Sequence, residues 1–243
     1  MQNNILQAGG AHGGRAWRKG VVMQFPVITI DPPWEFKVWT AKGGHKSASA
    51  HYDTQGTDWL CSLPVAEVAA DNCVLLMWAC WPTLPDALRV IEAYGITYKT
   101  LAFNWIKTYA HGGPQMKLGY YTRANSEPCL LATRGKPKRL DKGVSQVLAC
   151  GTGRHSEKPF EFYERVERLL EGPYLELFAR PHGDLIDGSR PGWTRLGNEI
   201  DGLDMTEALE HVAAAPQEVW APTETFAVTI AAEVDLFAAE VTD

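Results

Sequence analysis

The stretch Asp31-Pro32-Pro33-Trp34 combines residue types that suit one planar ring with an amino group. Asp31 offers a carboxylate. Two consecutive prolines fix two φ angles and remove two N–H donors, so the carbonyls of Asp31 and Pro32 can face a ligand. Trp34 adds a flat aromatic face, on which a stacked base gains about 1–3 kcal/mol. The alternative is a proline turn with Trp34 packed inside the protein.

The element that must position these residues is the apolar run just before them. Phe25–Ile30 is rich in β-branched side chains and is followed by turn residues, which predicts a buried strand. Asp31 would then lie at the carboxyl end of that strand. Ligands bind at this edge of an open α/β sheet. The sequence therefore predicts a binding site there.

The rest of the chain alternates strands with helices. Predicted strands cover 73–79, 97–106, 127–133, 144–149 and 174–179, and predicted helices cover 63–70, 85–94 and 159–171. This alternation indicates an α/β fold with a mostly parallel, doubly wound sheet and right-handed crossovers. No G-x-G-x-x-G follows the first strand, which argues against an ordinary dinucleotide-binding fold.

Length and composition favour one cytoplasmic domain. The 243 residues permit one α/β domain with a substantial core. The five cysteines form no C-x-x-C pair, so we expect neither a disulfide framework nor a metal site, and reduced thiols are the default. The sequence has no apolar run of about 18 residues and no signal pattern at its start, which predicts neither a membrane-spanning nor a secreted protein.

The formal net charge of −6 hides an asymmetry along the chain. Between residues 99 and 158 basic side chains greatly outnumber acidic ones, whereas no Lys or Arg follows Gly197. The basic part can attract phosphates, and aromatic residues interleave with it. The alternative for such a stretch is a solvated surface.

Eight basic residues are candidate nucleic-acid contacts. They are Lys37, Lys42, Lys46, Lys107, Lys117, Arg123, Arg134 and Lys136. The first three belong to segment 35–52, which we interpret as a mobile loop over the site or else a disordered surface loop. The polar segment 107–126 is where we expect target recognition.

Several motifs, in one order, resemble those of a known family. Beside Asp31–Trp34 they are Trp105-Ile106-Lys107, Glu127–Leu130 before Arg134–Pro137, His155–Pro159, Glu176–His182, Gly192-Trp193 and Leu196–Glu199. They resemble the N6-adenine methyltransferase family named for the seventy-kilodalton subunit of the mRNA adenosine methyltransferase, which has many bacterial and phage members. The resemblance covers roughly residues 25–202 and implies a circularly permuted, Rossmann-like methyltransferase.

The resemblance implies S-adenosyl-L-methionine as cofactor. The implied cofactor residues are Asp31, Lys158, Arg180, His182, Asn198 and Glu199. Lys158 and His182 would meet the methionine carboxylate, and Arg180 and Asn198 the ribose. Glu199 stands where the family more often has glutamine, and Gly183 replaces an asparagine. Glu176 would orient Arg180 or His182, or would serve as a buried ion-pair partner.

The implied activity is methyl transfer to the N6 amino group of adenine in DNA. Asp31 and the Pro32 carbonyl would accept hydrogen bonds from the two N–H groups of the amine, which would aim its lone pair at the methyl group. An adenine inside a duplex would have to flip out. The alternatives are RNA as substrate, or an inactive nucleic-acid-binding subunit.

Three segments are predicted along the chain. Residues 1–24 form a glycine-containing flexible segment, 25–202 the methyltransferase domain and 203–243 an acidic tail. The tail is interpreted as a disordered segment, a docking helix or a mimic of DNA charge. Recognition sequence and oligomeric state cannot be derived from the sequence.

Overall fold

The computed structural model describes residues 23–35, 56–117, 119–152, 157–181 and 190–214. Seven strands lie in these residues: β1 Phe25–Ile30, β2 Ala69–Trp78, β3 Thr97–Thr108, β4 Ser126–Arg134, β5 Val147–Gly151, β6 Tyr174–Leu177 and β7 Trp193–Leu196. The helices there are α1 Thr57–Ser62, α2 Val65–Val68, α3 Leu84–Ala93, α4 Phe160–Leu169 and α5 Met205–Ala214, with a 3-10 turn at Trp81–Thr83.

The strands form one mixed sheet in the order β5-β3-β4-β2-β1-β6-β7. β1 runs parallel to β2 and β6, β6 parallel to β7, and β3 parallel to β5. Only β4 runs against its neighbours, β2 and β3, in the part of the chain described. The predicted mostly parallel α/β sheet is confirmed.

Helices cover both faces of the sheet. Ile28 and Ile30 of β1 belong to one buried cluster with residues of α1, α2, α3 and α5. Val27, on the opposite face of the same strand, belongs to a second cluster with Phe162 and Val166 of α4. Burial on both faces explains why β1 and β2 are continuous apolar runs rather than alternating ones.

Helix α5 lies within the segment that the sequence assigned to an acidic tail. Met205, Ala208 and Leu209 are buried in the same cluster as β1, so the packed domain continues to Ala214 rather than ending at 202. The Asp204 carboxylate accepts hydrogen bonds from the first-turn N–H groups of residues 206 and 207, as an N-terminal cap does. None of the helices in the described ranges is long and apolar enough to cross a membrane.

Candidate active site

The parallel strands place their carboxyl ends at one edge of the sheet. Asp31 follows β1 and Arg180 lies three residues after β6, while Asn198 and Glu199 come just after β7. β4 runs the other way, so Glu127, near its start, reaches the same edge. Charged residues that are up to 168 positions apart in the sequence, from Asp31 to Glu199, therefore lie at the same edge of the sheet.

Asp31 lies where the strand order reverses. From β1 the chain continues to β2 on one side, whereas β6, on the other side of β1, continues outward to β7. The backbone N–H of Asp31 donates to the carbonyl of Leu177 at 3.4 Å, which joins the two strand ends. In open α/β sheets the crevice at such a reversal is the ligand-binding position.

An ion pair fixes the Asp31 carboxylate. Lys158 Nζ lies 2.6 Å from Asp31 Oδ2 and 3.9 Å from Glu127 Oε2. Lys107 pairs with the other oxygen of Glu127. Burial alone would lower the pKa of Lys158, but the carboxylates of Asp31 and Glu127 outweigh it and raise that pKa. Lys158 is therefore charged at neutral pH, and the Asp31 side chain is held in one orientation.

The turn after Asp31 is anchored by Trp34. Its indole N–H donates to the carbonyl of Trp78 at 2.9 Å, and its side chain lies in the core with only 5% of the residue surface exposed. The structure therefore does not show the exposed aromatic face predicted for Trp34. The alternative, a proline turn with Trp34 packed inside, describes it better, because the indole fills the core beneath the turn.

The Pro32 carbonyl is also partly engaged. It accepts a hydrogen bond from the backbone N–H of Trp34 at 2.8 Å, in addition to the ligand contact that the sequence predicted for it. A carbonyl oxygen has two lone pairs, so one remains for a ligand. The hydrogen bond to Trp34 tightens the turn and fixes the direction of that oxygen. The predicted roles of Asp31, Pro32 and Pro33 in catalysis remain predictions.

A buried network supports the loop after β6. Glu176 Oε2 accepts from Arg195 Nε at 2.7 Å, and Glu176 Oε1 accepts from the Tyr163 hydroxyl at 2.7 Å. A second nitrogen of Arg195 donates to the Arg180 carbonyl at 2.6 Å. Glu176 is thus the buried ion-pair partner considered from the sequence, and through Arg195 it holds the backbone carbonyl of Arg180. Desolvation, followed by the Glu176 charge, raises the pKa of Tyr163 well above its usual value, so its hydroxyl stays a donor.

The backbone after β6 passes very close to that after β7. Ala179 N–H donates to the Leu196 carbonyl at 2.8 Å, and a Cβ on Gly197 would lie 2.2 Å from the Ala179 carbonyl oxygen. Phe178 adopts φ +60°, a conformation that non-glycine residues rarely take and that clusters at binding sites. The Arg180 guanidinium, which follows β6, lies 3.8 Å from a carboxylate oxygen of Glu199, which follows β7.

The predicted nucleic-acid contacts do not form one surface. Lys107, Lys117 and Arg123 lie at or near the Asp31 edge, but Arg134 and Lys136 follow the far end of β4. Arg134 donates to the carbonyls of Ala66 and Ala69, so its role in the structure is to tie β4 to α2. The antiparallel direction of β4 separates Glu127 from Arg134 by about 24 Å, and contact of these basic residues with nucleic acid stays a prediction.

Several predictions lie outside the described residues. They concern Lys37, Lys42, Lys46 and His182, the loop over the site, most of segment 1–24 and the end of the tail. The sequence also missed Arg195 and Tyr163 as parts of the site. Arg195 sits opposite Glu176 in the register of β6 and β7, which only strand pairing reveals.

Comparison with known proteins identifies the family. The MT-A70 family profile matches residues 25–199, which is more than half of the chain. The chain belongs to the MT-A70 family. The predicted N6-adenine methyltransferase resemblance is thereby confirmed, and the match contains Asp31, Glu127, Lys158 and Arg180. Among MT-A70 relatives, the Type II methyltransferase M.MunI of Mycoplasma sp is 30% identical over 195 residues, covering 73% of this chain and 78% of that protein.

Two eukaryotic relatives are matched over a smaller share of their length. The N(6)-adenosine-methyltransferase MT-A70-like protein of Drosophila melanogaster is 26% identical, and the match covers 77% of this chain but 29% of that protein. The human N(6)-adenine-specific methyltransferase METTL4 is 28% identical, covering 72% of this chain and 37% of that protein. The MT-A70 chain described here thus spans about a third of these two proteins.

Proposed function

We propose that this chain is an S-adenosyl-L-methionine-dependent methyltransferase that modifies the N6 amino group of adenine in DNA. The observation that carries the proposal is the Asp31 carboxylate, fixed by Lys158 at the point where the strand order reverses. An amino group bound there would meet a charged acceptor of defined orientation. Family membership supplies the reaction class.

The side chains at the carboxyl ends of β6 and β7 fit the proposed cofactor by chemical type. Its ribose hydroxyls need acceptors and forked donors, which Glu199, Asn198 and Arg180 provide. Gly197 lets the Ala179 main chain pass very close, which holds the ends of β6 and β7 together beside these side chains. We assign these residues to cofactor binding, together with Asp31 and Lys158. When bound, the cofactor supplies an electrophilic methyl group on a sulfonium.

The role of the chain itself is to hold and orient the amine. An adenine amino group is a poor nucleophile because its lone pair conjugates with the ring. Lys158 occupies one oxygen of Asp31, and the carboxylate retains acceptor positions for one N–H of the amine. The remaining lone pair of the Pro32 carbonyl accepts the other N–H. Both bonds favour a pyramidal nitrogen, and no covalent cysteine intermediate is required.

The buried thiols near the site are consistent with direct transfer. Burial raises the pKa of Cys80 to about 11, and it raises the pKa of Cys129 well above the ordinary value. A nucleophilic cysteine needs a lowered pKa, because the thiolate is the reactive form. Neither thiol is therefore prepared to attack a base.

DNA is the proposed polymer because the chain matches a larger share of the type II methyltransferase than of the adenosine methyltransferases. Similarity to the bacterial type II methyltransferase extends over 78% of that protein, against 29% for the Drosophila adenosine methyltransferase. RNA is the competing substrate. An inactive nucleic-acid-binding subunit is disfavoured by the intact pair of Asp31 and Lys158.

The polymer is tested by offering DNA and RNA oligonucleotides of the same sequences with methyl-labelled cofactor. We expect label in DNA and at least tenfold less in RNA. The reverse ratio would transfer the proposal to RNA, and calorimetric binding of DNA without binding of the cofactor would indicate the inactive subunit. Sequencing of modified bases in DNA from cells that express the chain would then give the recognition site.

A further inference from the structure

A loop with internal hydrogen bonds lies at the edge of the sheet that carries Asp31. It connects β3 to β4, and we call its described part, residues 109–117 and 119–125, the aromatic loop. Short antiparallel bridges join Thr108 to Pro114 and Lys117 to Ala124. The side chain of Gln115 is buried and donates to the carbonyl of Thr108 at 2.8 Å. The loop is therefore held in one shape.

Arg123 holds the second half of the aromatic loop. Its Nε donates to the carbonyl of Lys117 at 2.8 Å, and its Nη2 donates to the carbonyl of Met116 at 3.2 Å. This side chain, predicted from the sequence as a nucleic-acid contact, thus folds the loop. Its positive charge stays at the surface beside Lys117.

The shape of the aromatic loop turns rings toward solvent. Tyr121 is fully exposed, and Tyr109 and Tyr120 are each about half exposed. Tyr109 stacks on His111 with ring centroids 5.1 Å apart and planes 9° apart. Trp81, at the carboxyl end of β2, is also half exposed, and its indole N–H is fixed to the Ser126 hydroxyl. Single exposed rings are common on protein surfaces, but several on one loop offer faces on which bases stack.

The charge of the aromatic loop selects its occupant. Residues 109–125 contain Lys117, Arg123 and His111 but no Asp or Glu, in a chain of net charge −6. Basic side chains between exposed aromatic rings are the surface that single-stranded nucleic acids bind, with phosphates on the cations and bases on the rings. A protein partner would not need the complete exclusion of acidic residues.

The position of the loop brings it within reach of bases next to a target adenine. β3 lies three strands from β1, which is about 14 Å across the sheet. That distance equals about four nucleotides of stacked strand. Contacts also join the end of β3, from which the loop begins, to the site, because Lys107 of β3 pairs with Glu127, which lies beside Lys158.

We infer that the aromatic loop is a stacking platform for unpaired bases that flank the target, with Tyr121 as its main ring. The inference rests on the proposed function for its substrate class. A target that is flipped out leaves its neighbours partly unstacked, and an exposed ring can replace the lost stacking. Tyr121 would then set affinity for the nucleic acid and preference for the flanking base, without contacting the reacting atoms.

The test compares Tyr121→Ala, Tyr121→Phe and the control Tyr98→Ala in the full chain. Tyr98 is 42% exposed, less than Tyr121 but similar to Tyr109, and it lies at the start of β3, at the opposite edge of the sheet. Binding of a fluorescein-labelled single-stranded DNA is measured by anisotropy without cofactor. We expect Tyr121→Ala to weaken binding by about tenfold, and Tyr121→Phe and Tyr98→Ala to bind like the wild type.

The inference would be overturned if Tyr121→Ala bound the DNA as tightly as the wild type, or if Tyr121→Ala and Tyr98→Ala lost equal affinity. It would also be overturned if Tyr121→Phe lost as much affinity as Tyr121→Ala, because that would indicate a contact of the hydroxyl group. A change in oligomeric state of Tyr121→Ala with unchanged DNA binding would also overturn it, in favour of a protein partner. The binding assay needs no turnover, so its result can be interpreted even if the chain does not methylate adenine.

Abasic substitutions in the DNA locate the stacked base. Each position around the methylated adenine is replaced in turn by an abasic site, and the affinity ratio of wild type to Tyr121→Ala is measured. We expect that ratio to fall to about one at a flanking position and to persist elsewhere. A ratio that persists at every position would contradict stacking by Tyr121.

Discussion

Lys158 Nζ and Asp31 Oδ2 are 2.6 Å apart, although 127 positions separate these residues in sequence. The pair joins the turn after β1 to the segment just before α4. Only 9% of the Lys158 side chain and 30% of the Asp31 side chain are exposed. The structure therefore fixes the acidic residue of the proposed acceptor site before any ligand binds.

Removal of this cation should lower stability in a pH-dependent way. In Lys158→Met the Asp31 carboxylate loses a charged hydrogen bond, so we expect the free energy of unfolding to fall by about 1.5–3 kcal/mol at pH 7. The pKa of Lys158 is raised above 10.5 in the folded protein, so its contribution is complete below that pH and is lost as the pH rises through the raised value. Urea unfolding of both proteins from pH 7 to pH 11 measures the difference.

Arg89→Met is the control for Lys158→Met. Arg89 and Asp58 are 2.5 Å apart, but both side chains are mostly exposed. We expect no measurable change in the unfolding free energy, because water screens exposed pairs. A stability loss in Lys158→Met that does not shrink above pH 10.5 would show that packing, rather than charge, is responsible.

Trp34→Phe should destabilise the protein. Phenylalanine cannot donate to the Trp78 carbonyl, which the Trp34 indole reaches at 2.9 Å in the core. We expect a loss of about 1–3 kcal/mol in unfolding free energy. If unfolding is unchanged while affinity for DNA falls, Trp34 contacts the target ring and the anchoring role is wrong.

Arg195→Lys should weaken the proposed cofactor site selectively. Lysine keeps the positive charge beside Glu176. It lacks the second guanidinium nitrogen, which donates to the Arg180 carbonyl in the wild type. We expect the Kd for S-adenosyl-L-methionine to rise by about two- to tenfold, with unchanged DNA affinity. Isothermal calorimetry and anisotropy measure the two affinities.

Arg165→Lys is the matched control. Arg165 also bonds a carboxylate, that of Glu161, and backbone carbonyls, but those carbonyls lie in and beside β5. Its substitution should leave the cofactor Kd unchanged. Equal weakening by Arg195→Lys and Arg165→Lys would indicate general loosening of the fold.

Gly197→Ala should strain the contact between the segments after β6 and β7. The new Cβ would lie 2.2 Å from the Ala179 carbonyl oxygen, a backbone atom that cannot turn aside. We expect a stability loss of about 1–3 kcal/mol. Gly56→Ala is the control, since nothing lies within 4 Å of a Cβ at that position. If Gly197→Ala lost no more stability than Gly56→Ala, the close approach of Ala179 to Gly197 would be contradicted.

The elements with strong periodicity could be predicted from the sequence. β1 has the predicted bounds, because an apolar β-branched run ended by prolines permits little else. Strand β7 was missed because four residues show no period. For α5, a docking helix was one of three interpretations, and its acidic residues obscured the apolar spacing of Met205, Ala208 and Leu209 that would have located it.

The site was predictable only in part, because its contacts depend on strand direction and register. The sequence indicated Asp31, Lys158 and Arg180, but it related Lys158 to a cofactor and not to Asp31. The basic residues around Arg134 and Lys107 belong to one basic stretch of the sequence, yet β4 places the residues around Arg134 at the opposite edge of the sheet. No local pattern contains that information.

The proposed function is transfer of a methyl group to N6 of adenine by a site that requires the Asp31 carboxylate. Mass spectrometry of nucleosides from DNA incubated with deuterated-methyl cofactor tests it most directly, with wild type, Asp31→Asn and the exposed control Asp58→Asn. We expect labelled N6-methyldeoxyadenosine from wild type and Asp58→Asn, and about a hundredfold less from folded Asp31→Asn. Equal product from Asp31→Asn, or label on cytosine or protein, would contradict it.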